Sequence, residues 1–284
     1  MKQRFTLHTH TVGFDGEDTA RDMVSRACHL GFKTIGISNH FILHPEINQA
    51  KFYHYAKIGG YGAIYSASYD EAMGRFVPHY DELSAIIQPR TQILRGLEVD
   101  FFYHPRWERE YLRAVDTLKP DYVIGACHIV EHDGRLYNIH DIKNANADVR
   151  DKLLDLYWQK VADAAASGLF TWLAHIDLPK KVGLGREQKW SDHEARAIES
   201  ISANKTPVEI NTRFFKPYCY EPYPSPRIMQ MMGAKNIPVL LSDDAHRVSQ
   251  IGGNFDIAQR MAHENGVNNF LTMQKILDFS NKTK

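Results

Sequence analysis

Residues 4–10 read RFTLHTH, a short apolar and β-branched run that is followed at once by two histidines. Such a run predicts a strand at 4–7, with His8 and His10 at its carboxyl end. A histidine pair at this spacing carries little weight by itself, because the chain contains 15 histidines. The pair becomes informative if other predicted strands end in side chains of the same kind.

Short β-branched runs alternate with helical stretches along the chain, a pattern typical of β–α units and a parallel sheet. A chain of 284 residues is long enough for one large α/β domain, and we predict a single domain over 1–284. The further predicted strands are 34–37, 93–98, 122–125, 170–174, 208–211 and 239–241. The predicted helices include 19–30, 107–118, 149–167, 191–204 and 225–235.

Six of the seven predicted strands end in a side chain that can bind a metal ion. In a β/α barrel the carboxyl ends of all strands open onto one face, where active sites lie. Residues far apart in sequence would therefore meet in one pocket, which chance explains poorly. In strand order these side chains are His8 and His10, then His40, Glu98, His128 and His175, then Asp244 and His246.

The motifs around these residues resemble those of a known family. LHTHT, FDG, SNH, GLE, GACH, AHID and SDDAH are similar, in this order, to the signature motifs of the polymerase and histidinol phosphatase (PHP) superfamily, from residue 4 to about 250. GLEVD, DYVIGACH, AHIDL and EPYPSP resemble its histidinol-phosphate phosphatase branch. The resemblance implies an α/β fold, a distorted (β/α)7 barrel, with a metal cluster at the carboxyl ends of its strands.

The resemblance also implies two or three divalent metal ions and a division of ligands among them. The branch often has a histidine near Asp15, and a change of ligand at this position would alter the identity or the occupancy of the metal ion that Asp15 binds. Imidazole and carboxylate ligands without thiolates suit Zn, Mn or Fe(II). The implied sets are His8, His10, Glu98 and Asp244 for one ion; Glu98, as a bridge, with His128 and His175 for a second; and Asp15, His40 and His246 for a third.

The implied activity is hydrolysis of a small phosphomonoester by a metal-bound hydroxide, with Glu98 and Asp244 as the candidate catalytic residues. L-histidinol phosphate, cleaved to L-histidinol and phosphate in histidine biosynthesis, is the leading substrate. Three divalent ions together with the carboxylates of Asp15, Glu98 and Asp244 have a net charge of +3. One hydroxide and one phosphomonoester dianion would balance this charge. The alternatives are a phosphatase or cyclic phosphodiesterase for another small metabolite or nucleotide, an exonuclease, and a non-catalytic metal-binding module.

Composition narrows these alternatives. Thirty-four basic residues balance 34 acidic ones, whereas a protein that binds nucleic acid usually has a basic excess, so no nucleic-acid partner is expected. No run of 18 apolar residues occurs, so no membrane span is expected and the cytoplasm is the predicted location. The sequence does not indicate the oligomeric state.

Cationic side chains follow two of the predicted strands and are candidate phosphate ligands. Lys180 and Lys181 come soon after His175, and Arg213 and Lys216 follow strand 208–211. The sequence is equally consistent with each of these four side chains being an ordinary charged residue on the surface. The branch tends to have an arginine a few residues beyond position 213, where this sequence has Phe215 instead. We therefore expect Arg213 to bind the substrate phosphate in its place.

The tyrosine-rich stretch 41–74 interrupts the alternation of strands and helices. It begins directly after His40 and contains Tyr53, Tyr61 and Tyr65. A long insertion after a strand usually carries function, and we predict a lid over the pocket. The alternative is that this segment has a purely structural role and packs against the side of the barrel.

Overall fold

The structure, a computed structural model, describes residues 3–185, 188–214 and 221–281. It consists of two compact units. The first unit comprises Met1–Ile124 and Asp243–Gly253, and the second comprises Gly125–Ser242 and Asn254–Lys284. The single domain over 1–284 stays a prediction.

Parallel strands form the centre of the first unit. β2 pairs with β1 and β5, and β3 pairs with β5 and β4, all in parallel. Helices connect them, as the alternation in the sequence indicates. The elements are β1 (Phe5–Thr6), α1 (Ala20–His29), β2 (Thr34–Ile37), β3 (His40–Leu43), α2 (Lys51–Ile58), β4 (Tyr65–Ser66), α3 (Tyr69–Ser84), β5 (Gln92–Asp100) and α4 (Pro105–Leu118).

A buried tyrosine fixes the spacing of these strands. Tyr122 is fully buried and its hydroxyl donates a hydrogen bond to the Leu7 carbonyl at 2.6 Å, directly before the first predicted ligand. A Cβ on Gly36 or on Gly96 would lie 2.0 to 2.3 Å from atoms of its side chain. Glycine is therefore required in β2 and β5, because only a residue without a side chain leaves room for the tyrosine.

The second unit also contains parallel strands, with β10 between β9 and β11. β7 and β8 form a separate antiparallel pair. Strand β6 (Tyr122–Ala126) begins in the first unit and ends in the second. The remaining elements are β7 (Ile129–His132), β8 (Arg135–Asn138), α5 (Ile139–Asn144), α6 (Ala147–Ser167), β9 (Trp172–Leu173), α7 (Ser191–Ala203), β10 (Val208–Asn211), α8 (Pro226–Ala234), β11 (Val239–Ser242), α9 (Phe255–Glu264) and α10 (Met273–Ser280).

Each predicted strand corresponds to a strand of the structure, although β9 keeps only two of the five residues predicted at 170–174. The predicted insertion 41–74 is largely regular structure, because it contains most of β3, then α2, β4 and the start of α3. Its role as a lid stays a prediction. Within the described ranges, no helix is both long enough and apolar enough to span a bilayer.

Candidate metal centre

The end of β1 and the segment after β11 carry four of the predicted ligands. Thr9 and Ala245 form a parallel bridge, and the His10 amide donates to the Ala245 carbonyl at 2.8 Å. His8 and His10 flank Thr9, and Asp244 and His246 flank Ala245, so the bridge brings the four residues close together; Asp244 has a left-handed backbone, with φ 47°. Asp244 Oδ1 lies 3.2 Å from His10 Nε2 and 3.8 Å from His8 Nε2.

Strand register places Glu98 beside His40. The two residues are partners in the parallel pair of β3 and β5, and His40 Nδ1 lies 2.6 Å from Glu98 Oε2. The other carboxylate oxygen, Oε1, lies 3.3 Å from His8 Nε2, and His10 Nε2 lies 3.6 Å from Oε2. Glu98 is fully buried and contacts three of the predicted ligands at once.

Asp15 reaches the same cluster from the turn that follows His8 and His10. Its Oδ2 lies 3.0 Å from His246 Nε2 and 3.2 Å from His40 Nε2. The next residue is a glycine for a steric reason, because a Cβ on Gly16 would lie 2.5 Å from the Thr11 amide nitrogen. The Gly16 amide instead donates to the Thr11 carbonyl at 3.1 Å, which closes the turn.

The protonation states in this cluster follow from burial and from neighbouring charges. Burial lowers the pKa of His10 to about 3, with further lowering by His246 and His40. Burial opposes ionisation of Asp15, but His40 and His10 hold its pKa well below the usual value. Burial also opposes charge on His40, but Glu98 and Asp15 raise its pKa well above the usual value. The buried carboxylates therefore favour positive charge beside them.

These residues fit divalent metal ions. Neither ring nitrogen of His10 forms a hydrogen bond of good geometry within the described ranges, although both are buried. Burying an imidazole without a partner for its nitrogens costs free energy, and a bound metal ion would supply that partner. Neutral imidazoles and ionised carboxylates are the forms that bind metals. Within the first unit, two groups have ligand atoms within 4.8 Å of one another, namely His10, Asp15, His40 and His246, and His8, His10 and Glu98.

Asn39 positions two of the ligand-bearing loops. Its Oδ1 accepts a hydrogen bond from the Thr11 amide at 2.8 Å, and its Nδ2 donates to Thr11 Oγ1 at 2.9 Å. The same amide nitrogen lies 2.9 Å from His79 Nε2, and burial lowers the pKa of His79 to about 4, so the ring is neutral. Hydrogen bonds thereby connect the residue before the predicted ligand His40 to the residue after the predicted ligand His10.

Asn39→Ala is expected to weaken metal binding by about 10- to 100-fold, the range seen when residues that support metal ligands are removed. It should also destabilise the fold by about 1–3 kcal/mol, because the Thr11 amide loses its partner. Metal affinity is measured by competition with a chelator on folded protein, and Asn204→Ala, on the surface at the end of α7, is the control. An Asn39→Ala protein with lower thermal stability but unchanged metal affinity would show that Asn39 is merely structural.

A second carboxylate, Asp243, supports the segment that carries Asp244. Its Oδ1 accepts from Thr6 Oγ1 in β1 at 2.8 Å, and its Oδ2 accepts from the Gly252 amide at 2.6 Å. Burial raises the pKa of Asp243 to about 6, against the effect of these two donors. The pair of aspartates in SDDAH thus divides into one residue in the cluster and one that anchors its loop.

The other two predicted ligands, His128 and His175, lie together in the second unit. Their ring centroids are 4.9 Å apart. The His175 backbone adopts φ 24°, a strained value for a histidine, and its amide donates to Glu209 Oε1 at 3.2 Å. Glu209 is fully buried in β10 and also accepts from Trp172 and Asn211. That these histidines share a metal with Glu98 stays a prediction.

The candidate phosphate ligands lie in different surroundings. Lys180 is buried, with its Nζ 3.0 Å from Asp177 Oδ2 and 3.5 Å from Glu221 Oε1, whereas Lys181 is exposed. Arg213 follows β10 in a short 3₁₀ turn and is partly buried. Lys216 lies outside the described residues. The contacts of these cations with phosphate stay predictions.

Several functional side chains were not singled out by the sequence. Asn39 and Asp243 follow predicted strands and Glu209 belongs to one, but the resemblance does not include any of the three among the implied metal ligands. The available signal was that Asn39 and Asp243 stand next to predicted ligands, in SNH and SDDAH, and that Glu209 is a charged residue within the strand VEIN. These residues act through hydrogen bonds to backbone groups and to neighbouring side chains, and such contacts form only in the tertiary structure.

Comparison with solved structures confirms the predicted fold class. A histidinol phosphate phosphatase from Lactococcus lactis, solved with Zn, L-histidinol and phosphate, has a TM-score of 0.67 at 16% identity and covers 95% of both chains. A structure from Listeria monocytogenes, named as a histidinol phosphatase hisK, has a TM-score of 0.65 at 19% identity and covers 89% of this chain and 99% of its own. At these identities the likeness shows the fold alone.

Sequence comparison supplies the family. A protein of Deinococcus radiodurans, named as a probable histidinol-phosphatase, is 28% identical over 199 residues, which are 67% of this chain and 73% of the relative. The family model for the PHP domain matches residues 5–213, well over half of the sequence, and that span contains all the predicted ligands except Asp244 and His246. Ligand motifs, fold and family model agree, and the chain belongs to the PHP domain family.

Proposed function

We propose that this protein hydrolyses a small phosphomonoester, with L-histidinol phosphate as the leading substrate. The observation that carries the proposal is the buried cluster of four histidines and three carboxylates in the first unit. The similarity to proteins named as histidinol phosphatases supports the choice of substrate. Donors of this type suit divalent Zn, Mn or Fe, and we propose two or three such ions.

The charges of the cluster favour a dianionic substrate. Asp15, Glu98 and Asp244 return three negative charges to two or three divalent ions, so the centre keeps a net positive charge. A phosphomonoester dianion compensates this charge better than a diester, which carries one negative charge less. Divalent ions bound here would neutralise the phosphoryl oxygens and activate water for attack on phosphorus.

The residues of the chain provide position and electrostatics. Glu98 touches three histidines from a fully buried place and we propose it as the bridging carboxylate. Asp244 Oδ1 lies within 3.8 Å of ring nitrogens of His8 and His10, and we propose that Asp244 binds the same metal ion as these two histidines. We further propose that His128 and His175 complete the ligand set, and that Arg213, Lys180 or Lys181 binds the phosphate. Burial excludes water from the ligands, which strengthens each electrostatic contact.

The test is a comparison of kcat/KM over a panel of substrates, with Zn and Mn restored separately to the metal-free protein. The panel contains L-histidinol phosphate, other small phosphomonoesters, a phosphodiester, cyclic nucleotides and single-stranded DNA. We expect L-histidinol phosphate to give the highest value, and diesters to be at least about 100-fold worse. A preference for a cyclic nucleotide or for DNA would overturn the proposal in favour of a phosphodiesterase or an exonuclease. A Glu98→Gln preparation controls for contaminating phosphatases.

Metal content gives an independent prediction. We expect the purified protein to carry at least two divalent transition metals per chain, because its donor set is buried and largely preformed. Elemental analysis after gentle purification measures this number, and thermal unfolding with and without a chelator should show that the metals stabilise the fold. Less than about one equivalent, with no gain when metal is added, would contradict the prediction.

A further inference from the structure

A cavity of about 190 Å³ lies among residues of the second unit. Its walls come from α6, from the segment after His175, from α7 and from the start of α8. Apolar surface is provided by Trp158, Pro179, Leu184 and Pro226. Charged side chains also line it, namely Asp177, Lys180, Glu194, Glu221 and Arg227.

Both cations of the lining are already engaged by carboxylates. Lys180 lies within 3.5 Å of Asp177 and Glu221, and its ammonium group also donates to the Pro222 carbonyl. Arg227 donates to Glu194 Oε1. The described lining contains three carboxylates and two cations, so one negative charge remains in excess at a pH where all three carboxylates are ionised. An anionic ligand is therefore disfavoured.

Two buried carboxylates of the lining keep hydrogen-bonding capacity. Asp177 Oδ1 and Glu194 Oε2 are buried and have no hydrogen-bond partner within the described ranges, and the same is true of Trp158 Nε1. The whole residues are only 5% and 1% exposed for Asp177 and Glu194. Burial raises the pKa of Glu194 to about 7, although Arg227 opposes this. Buried acceptors of this kind normally have a partner.

The chemistry of the walls separates an organic cation from a metal ion. Among the described residues, the groups that could hold a metal do not include Asp177 or Glu194. Apolar and aromatic walls with a few polar groups are instead typical of sites for small organic molecules. Trp158 adds aromatic surface to the lining, and aromatic rings can attract cations.

We propose that this cavity binds a small organic cation, a primary ammonium compound with a short apolar body, whose N–H groups donate to Asp177 and Glu194. The apolar body would contact Trp158, Pro179 and Leu184. The proposal rests on the charges and contacts of the cavity lining, and neither Asp177 nor Glu194 is a proposed metal or phosphate ligand. It assigns to the chain a ligand site in addition to its metal centre.

The proposal is tested with n-butylamine and 1-butanol, which match in size and differ in charge, added to the metal-loaded full-length protein at pH 8. At that pH Glu194 is mostly ionised and an alkylammonium group keeps its proton. The indole N–H signal of Trp158, one of four tryptophans, reports binding by NMR and is assigned with Trp158→Phe. We expect a saturable shift with n-butylamine and at least about tenfold weaker binding of 1-butanol.

Two variants place the binding in the cavity. Glu194→Gln should weaken n-butylamine binding by about tenfold or more, whereas Glu199→Gln, on the exposed face of the same helix, should leave it unchanged. Leu184→Phe narrows the cavity without altering any charge and should also abolish binding, so it decides the question if Glu194→Gln does not fold. Equal binding of amine and alcohol, no saturable shift with either, or binding that survives both variants would overturn the proposal.

Discussion

Glu98→Gln is expected to lower kcat/KM for the best substrate by at least about 10³-fold, more than the loss of any single histidine ligand. The substitution preserves shape but removes a buried negative charge that lies against three histidines. As the proposed bridge, Glu98 would supply charge to two metals, while each histidine would serve one. The effect should therefore combine lost metal affinity with lost electrostatic stabilisation in the transition state.

Two matched variants separate these contributions. Glu98→Asp keeps the charge but shortens the side chain, so it should retain more activity than Glu98→Gln, and Glu108→Gln, on the exposed face of α4, should behave as the unaltered protein. The assay is run with metal content measured on the same samples, and circular dichroism verifies folding. A Glu98→Gln protein that keeps more than about a tenth of kcat/KM would remove Glu98 from the centre, because that loss is under 1.4 kcal/mol.

Hydrophobic periodicity and residue type were sufficient to predict the other parallel strands that contain or precede predicted ligands, but not the short strand β3, which contains His40. Its four residues, HFIL, form an apolar run too short to distinguish a strand from other buried structure. It pairs with β5 through a partner far away in sequence, Glu98, and only tertiary contact reveals this. The helix α3 was also missed, and it contains Pro78 in its interior, where a proline usually indicates a break.

The candidate site was predictable to the extent that its chemistry depends on residue type at a strand end. His8, His10 and Glu98 satisfy that rule, and their atoms meet in the first unit. Asn39 was not predictable in this way, because asparagine is also favoured in turns, and its place before His40 does not indicate a supporting role. Its role depends on hydrogen bonds to Thr11 and a contact with His79, which is 40 positions away.

Phosphate recognition is proposed to depend on a cation that follows one of the strands. Arg213 lies two residues after the end of β10, at the carboxyl end of a parallel strand, and its amide donates to Asn211 Oδ1 at 2.9 Å. That hydrogen bond fixes the backbone from which the guanidinium extends. Lys180, the main rival, is buried between Asp177 and Glu221, so part of its charge is already compensated. We therefore favour Arg213 as the phosphate ligand.

Arg213→Ala is accordingly expected to lower kcat/KM by roughly 10²-fold or more while the metal content stays intact, because a bidentate arginine would orient the phosphoryl group and stabilise its charge in the transition state. Arg213→Lys should recover only part of this loss, since an ammonium group cannot reproduce the planar fork. Lys181→Ala, at an exposed position, is the matched test of a rival cation. A crystal structure with bound phosphate completes the measurement. If the Arg213 guanidinium lay beyond about 3.2 Å from every phosphate oxygen, and Arg213→Ala kept full activity, the role would belong to a lysine.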